Sequence, residues 1–278
     1  MNKNIVIITG NKPHMNYFVS EMAKKLNVVS VFYFKVWKRP TSRTLEYFKS
    51  KEFRSRNKLS SSIAYDILGE NNIGYNYADD IFKNNLKIKS IPAYHCEDIN
   101  SDKVIEKIKK LRPDIVFCHG GPIYGEGIIN CAPLVINFHS GISPNYRGAH
   151  SHLFAYIDGS KNDIGGTLMK LNSKIDGGDI IRQCRPIIKQ SDTPKEIFVK
   201  IMESGCSLVI DFIENYQNNN EIKLEKQIDK GKYTKNSDFN FNKLLKYYYR
   251  KLVGFKFKAY KLEQTKLNRE LFYIPYLE

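Results

Sequence analysis

The sequence predicts an α/β fold: an open, mainly parallel sheet flanked by helices, with a small C-terminal appendage. Three observations carry that expectation. Short β-branched and aromatic runs alternate with stretches of helical length, the rhythm that builds parallel sheets. Turn residues, Gly10-Asn11 and Gly120-Gly121-Pro122, stand directly after two of those runs. The 278 residues are 42% hydrophobic, with 18 Tyr and 16 Phe, which suffices for a sizeable core and is too apolar for a disordered chain.

The elements follow in order. Ile5–Thr9 (IVIIT) reads as a buried strand, Met15–Leu26 as a helix, and Val28–Phe34 (VVSVFYF) as a second strand. Residues 35–58 form a basic insertion, with nine Lys/Arg against Glu46 and Glu52, which suits either a solvated face or a phosphate-contacting arm. The βαβ rhythm resumes with a strand at Ile91–His95 and a helix over Asn100–Leu111, whose Ile105, Ile108 and Leu111 share one face. Strands are expected at Asp114–His119, Leu134–His139 and Gly165–Leu171, then an extended stretch at Ile180–Ile188. A long helix over Thr193–Tyr216 is expected to open on Asp192 as its cap. The polar run Gln217–Glu221 reads as a linker, which divides the chain into 1–216 and a basic, Tyr/Phe-rich region at 217–278. That region is expected to pack on the first or to dimerise, through Phe239, Tyr247 and Phe255.

Several function classes recede on composition. Five scattered cysteines, with no CxxC, point to reduced thiols and no structural zinc. The start MNKNIVIITG lacks the length of a signal peptide, and no apolar stretch approaches membrane-spanning length. A cytoplasmic protein without membrane insertion is expected. The net charge of +15 makes a phosphorylated partner plausible without naming one. His139, His150 and His152 are poorly spaced for a metal site, and Tyr247-Tyr248-Tyr249 suits core or dimer packing better than base stacking.

The chemistry concentrates in INFHSGISPNYRG, residues 136–148. Asn137 and His139 stand two apart at the end of an apolar run, so alternation puts both on one face of a strand as it leaves the sheet. That edge is where open α/β sheets place ligands. The loop Lys174-Ile175-Asp176-Gly177-Gly178-Asp179 follows another strand. If the two strands are neighbours, a carboxylate meets an imidazole and a carboxamide, a set able to steady a developing oxyanion. Neither an elbow Ser nor an elbow Cys is present, so direct transfer between two bound substrates fits. On spacing alone the signal is weak, since a lone histidine at a strand end is more often structural.

The stretches NFHSGISPNYRGAH and DIGGTLMKLNSKIDGGDII resemble the folate-dependent formyltransferase family, which includes enzymes for methionyl-tRNA, glycinamide ribonucleotide and nucleotide-linked amino sugars. Asn-x-His, Pro-x-aromatic-Arg-Gly, a G-x-T strand and the Asp-x-Gly-Asp loop occur in the family's order. LRPDIVFCHGGPI is similar to the strand and turn before them. The resemblance implies a Rossmann-like sheet and a catalytic triad of Asn137, His139 and Asp176. It implies 10-formyltetrahydrofolate as formyl donor, held by Gly120, Gly121, Pro122, Ile123 and Tyr124 on one side and Asn172, Ser173, Lys174 and Ile175 on the other. The acceptor is then expected against Ser140, Gly141, Tyr146 and Arg147.

Among family members the chain is most similar to the nucleotide-sugar N-formyltransferases of surface polysaccharide (O-antigen) biosynthesis. Methionyl-tRNA formyltransferases carry a C-terminal barrel, for which the residues after 217 lack alternating strands and turns, and their Ser-Leu-Leu loop is replaced here by Ser140-Gly141-Ile142-Ser143. The resemblance therefore implies an amino-sugar acceptor, a homodimer and no nucleic-acid partner. The basic insertion argues for tRNA instead. A non-enzymatic nucleic-acid-binding protein is the third reading, disfavoured by the intact triad.

Overall fold

The computed structural model describes residues 2–35, 80–83, 91–219, 221–227, 231–254 and 272–273. The expected basic insertion, apart from Lys35, and Phe255 lie outside the described residues. Strand β1 (Ile5–Gly10) leads into helix α1 (Pro13–Lys25) and strand β2 (Val28–Phe34). Next come β3 (Ala93–Cys96), α2 (Asp102–Lys110), β4 (Ile115–His119) and the single turn α3 (Glu126–Ile129). Strand β5 (Leu134–His139), the short β6 (Tyr146–Gly148), α4 (Ser151–Asp158), β7 (Gly166–Lys170) and β8 (Ile180–Cys184) follow. Helix α5 (Pro194–Asn219), β9 (Lys232–Thr234), α6 (Phe241–Val253) and β10 (Phe272–Tyr273) complete the order.

The eight-stranded sheet runs β10-β8-β7-β5-β4-β1-β2-β3. Strands β3, β2, β1, β4 and β5 are mutually parallel, β7 and β8 pair antiparallel with their predecessors, and β10 is parallel to β8. The sheet is therefore open and mainly parallel, with a Rossmann-like half, as the βαβ rhythm implied. Both faces are covered, so the central strands read as continuous apolar runs. Ile5, Ile7, Phe117, Ile136 and Phe138 pack on one side with Phe18 and Met22 of α1 and Ile201 of α5. Val6, Ile8, Val116, Cys118 and Val135 pack on the other with Ile108 of α2 and Ile128 of α3. All five cysteines are free and buried, and burial pushes the Cys131 thiol up to about 11. Among the described residues, no helix is long and apolar enough to cross a membrane.

Element bounds shifted by a few residues, for local reasons. Helix α1 begins at Pro13, whose fixed φ and missing N–H suit a first helical turn. The cap of α5 is Thr193 and not Asp192: Thr193 Oγ1 receives the Glu196 N–H at 3.3 Å, and the Thr193 N–H reaches back to Glu196 Oε2 at 2.7 Å. Asp192 instead accepts from the Lys189 N–H and Lys200 Nζ, both at 2.6 Å.

Helix α5 runs on to Asn219, into the run expected as a linker, and the described residues after it pack back onto the sheet domain. Strand β9 pairs in parallel with β6 in a two-stranded ribbon. Phe239 is fully buried and stacks on Phe154 of α4, with ring centroids 4.5 Å apart. Tyr247 is buried 6.1 Å from Tyr156, while Tyr248 and Tyr249 are exposed. Asp158, at the end of α4, accepts from Lys232, Lys243 and the Tyr146 hydroxyl. Burial alone would raise its pKa, but the hydrogen bonds from Lys232 and Lys243 hold it below the usual carboxylate range.

Candidate active site

Strand β5 ends at the carboxyl edge of the sheet, and β7 lies directly beside it, with Asn137 opposite Met169 and His139 opposite Thr167. Ile136 and Phe138 face α1 and α5, so alternation turns Asn137 and His139 to the other face. The segment after β7 doubles back over that face and brings Asp176 to both. Asp176 Oδ2 lies 3.3 Å from His139 Nδ1, and Oδ1 lies 3.5 Å from Asn137 Nδ2.

His139 is buried, and its second nitrogen, Nε2, lies 3.2 Å from the Tyr146 carbonyl oxygen. An imidazole held between a carboxylate and a carbonyl satisfies both acceptors only with a proton on each nitrogen. Asp176 takes a positive φ of 45°, uncommon outside glycine though tolerated by Asp. Its neighbours over-determine that conformation. The Gly148 N–H donates to Oδ2 at 2.9 Å, and the Asp176 carbonyl accepts from Gln227 Nε2 at 3.1 Å. Gln227 Nε2 also reaches the Gly178 carbonyl at 2.6 Å, so a residue of the C-terminal region pins the loop.

The triad opens into a cavity of about 560 Å³. All nine residues expected to hold the donor line it: the turn Gly120, Gly121, Pro122, Ile123 and Tyr124, and the loop Asn172, Ser173, Lys174 and Ile175. Gly120 and Gly121 both have positive φ, and the Tyr124 hydroxyl closes the turn on the Gly120 carbonyl at 2.6 Å. Of the residues expected against the acceptor, Ser140 lines the cavity, whereas Gly141, Tyr146 and Arg147 stand behind it. A Cβ at Gly141 would sit 2.5 Å from His139 Nε2, and Tyr146 supplies the carbonyl that Nε2 meets. His150 lines the cavity, while His152 is buried against Phe198. Among the described residues there is no cluster of three metal-ligating side chains.

Two sets of residues escaped the sequence reading. Tyr233, Thr234, Lys235 and Asn236 of the C-terminal region line the cavity, placed there by β9. The Thr234 hydroxyl lies 2.7 Å from the Ala149 carbonyl and 3.0 Å from that of Arg147. His14 and His119 also line the cavity. A three-residue strand whose partner lies far back in the chain leaves no periodic signal, and a histidine closing an apolar run looks like core.

The fold and the site thus set the Asn137, His139 and Asp176 side chains and two facing walls around one cavity at the carboxyl edge of an α/β sheet. Residues 3–213 match the family model described as Formyl transferase, and the chain belongs to that family, the folate-dependent N-formyltransferases, whose formyl donor is 10-formyltetrahydrofolate. Two relatives show how it sits within the family. It is 34% identical over 130 residues to a bifunctional polymyxin resistance protein ArnA of Wigglesworthia glossinidia brevipalpis, a stretch covering 45% of this chain and 20% of that one. It is 33% identical over 150 residues to a methionyl-tRNA formyltransferase of Sulfurihydrogenibium sp. (strain YO3AOP1), covering 52% of this chain and 48% of the relative. The matches thus span less than half the length of either relative. The fold is shared with a sugar N-formyltransferase from Shewanella sp FDAARGOS_354, at a TM-score of 0.54 and 18% identity, covering 84% of this chain and 76% of that one.

Proposed function

We propose that the protein moves a formyl group from 10-formyltetrahydrofolate to the primary amine of a nucleotide-linked amino sugar. The observation that carries the choice of acceptor is the docking of β9. Residues 233–236 wall the same cavity as the triad, and its volume is in the range of small-molecule sites. The likeness to a sugar N-formyltransferase points the same way. The donor fits the residues present. The exposed apolar side chains of Ile123 and Ile175 line the cavity from the turn and from the loop, as a flat ring system requires.

Bound there, the donor supplies an activated formyl group. The chain's own residues then have distinct tasks. Asn137 keeps an amide N–H for the formyl oxygen as negative charge develops on it, and protonated His139 turns its Nε2–H to the same oxygen in place of the Tyr146 carbonyl. Asp176 holds the Nδ1–H and so fixes the orientation of the ring. A proton held at Nε2 is then available to the departing nitrogen.

The second reading is formylation of methionyl-tRNA, favoured by the 33% identity to such an enzyme and by the net charge of +15. Incubation with 10-formyltetrahydrofolate and a panel of UDP-, dTDP- and GDP-linked amino sugars, beside charged initiator tRNA, separates the two by which product gains a formyl mass. The finer reading is a cytoplasmic homodimer serving surface polysaccharide (O-antigen) assembly, and sedimentation of the purified protein tests the dimer.

A further inference from the structure

Helix α6 has two unlike faces. Asn240 caps it by accepting the Lys243 N–H at 3.0 Å, and Leu244 and Tyr247 bury one side in the core that α1 and α5 share. The opposite face is left to solvent. Phe241, Leu245, Tyr248, Tyr249 and Leu252 are all exposed there, Leu252 at 86%. At the helical repeat the five fall within an arc of about 100°, a continuous stripe along the helix. Eleven large apolar side chains are exposed among the described residues, and five of them stand on this one helix, so the stripe is a patch and not scatter.

The borders of the stripe are cationic. At the same repeat Lys246 lies just beyond Tyr249 on one side, and Lys251 just beyond Tyr248 on the other. Lys243 is tied to Asp158, whereas no carboxylate meets Lys246 or Lys251 among the described residues. The helix itself, FNKLLKYYYRKLV, contains no Asp or Glu. Lysine stems lie along apolar surface with the ammonium in water, and a tyrosine pairs an apolar ring with a polar tip. Such a face fits the boundary between hydrocarbon and anionic headgroups. A second copy of the chain fits it poorly. Face to face, two such helices would set lysines near lysines with no acid to pair them. The stripe is also small, about 20 Å by 10 Å, against the ~800 Å² per partner of a stable interface.

We propose that the exposed face of α6 docks the protein on an anionic membrane surface, lying in the headgroup layer without crossing the bilayer. The apolar stripe enters the interface, and Lys246 and Lys251 meet lipid phosphates. Leu244, Tyr247 and the Lys243–Asp158 pair already hold the helix on the sheet domain, so docking requires no helix formation. The triad and the cavity are untouched by this role, and it stands whichever acceptor is formylated. The dimer proposed above is left to another surface.

The test is co-sedimentation of the full chain with vesicles of phosphatidylcholine alone, and of phosphatidylcholine and phosphatidylglycerol in equal parts. The wild type is expected to sediment with the mixed vesicles and to stay mostly in solution with phosphatidylcholine alone. Diffuse attraction brings any chain of net charge +15 toward anionic vesicles, so the deciding variant changes no charge. Leu245→Ser with Leu252→Ser should lower partitioning about tenfold or more, while keeping the melting temperature and formyl transfer in vesicle-free solution. Lys246→Gln with Lys251→Gln should also lower it about tenfold. Lys103→Gln with Lys110→Gln on α2, across the sheet, should leave it within about twofold. Unchanged partitioning of the serine variant overturns the proposal, as does an equal loss from the two lysine pairs, since either makes the attraction diffuse. Equal binding to both kinds of vesicle overturns the anionic preference, and wild type that ignores both overturns the proposal outright. A serine variant that sediments as a smaller species than the wild type without vesicles makes the stripe a contact between copies, and so overturns the membrane reading.

Discussion

Replacing Asp158 by Asn should release the C-terminal region from the site it completes. Asp158 gathers Lys232 at the start of β9, Lys243 in α6 and the Tyr146 hydroxyl of β6. Asn keeps the shape but turns an NH₂ toward donors and removes the charge. Lys232 is 41% exposed, so its share is that of a surface pair, ~0–1 kcal/mol after screening. Lys243 is 18% exposed, and its charge-assisted bond is worth ~2 kcal/mol. The sum, ~2–3 kcal/mol, lowers the melting temperature of a chain this size by about 5–10 °C. The sign with pH follows from the depressed pKa of Asp158. Its contribution is fully present above the unfolded carboxylate value of ~3.9 and is lost as pH falls through the folded one. Thermal scans from pH 7 to pH 3 should therefore show wild type and Asp158→Asn well apart at neutral pH and converging in acid. Limited proteolysis should cut the variant sooner within 221–254. A variant that melts with the wild type at pH 7 and resists protease equally would refute the tether.

Further outcomes concern the loop and the triad. Gln227→Ala removes two hydrogen bonds to loop carbonyls, at Asp176 and Gly178. It should lower kcat by about tenfold, with tetrahydrofolate affinity nearly kept, at ~0.5–1.5 kcal/mol per neutral bond. Unchanged turnover would mean that the loop holds Asp176 without the C-terminal region. Asn137→Ala should reduce kcat by about 10²-fold or more, the scale of one lost oxyanion donor. His139→Asn and Asp176→Asn should each lower kcat by orders of magnitude while leaving donor binding measurable. Near-wild-type turnover in any of the three would move the chemistry to other residues.

Much of this was legible beforehand because it is periodic. Alternation alone put Asn137 and His139 on one face of β5, and β-branched runs marked the central strands. The approach of Asp176 needed the family resemblance, since it depends on β7 lying antiparallel beside β5, which residue spacing does not state. Thr193 outranked Asp192 as a cap because the partner that mattered, Glu196, stands three residues on. The role of the C-terminal region was hidden for a different reason. Thr234 meets Arg147 and Ala149, and Lys232 and Lys243 meet Asp158, across long stretches of chain that no local pattern encodes. His119 looked like the last residue of a buried run, and only the structure puts it on the cavity wall.

Formyl transfer itself can be watched directly. Purified wild-type protein and its Asp176→Asn variant would be incubated with 10-formyltetrahydrofolate and each amino-sugar nucleotide or charged initiator tRNA, with products read by mass. The expected result is a formyl gain on at least one nucleotide-linked amino sugar with the wild type, loss of that product with the variant, and an unmodified tRNA. Formylated initiator tRNA with no formylated sugar would contradict the assignment, and equal product from the Asp176→Asn variant would contradict the mechanism.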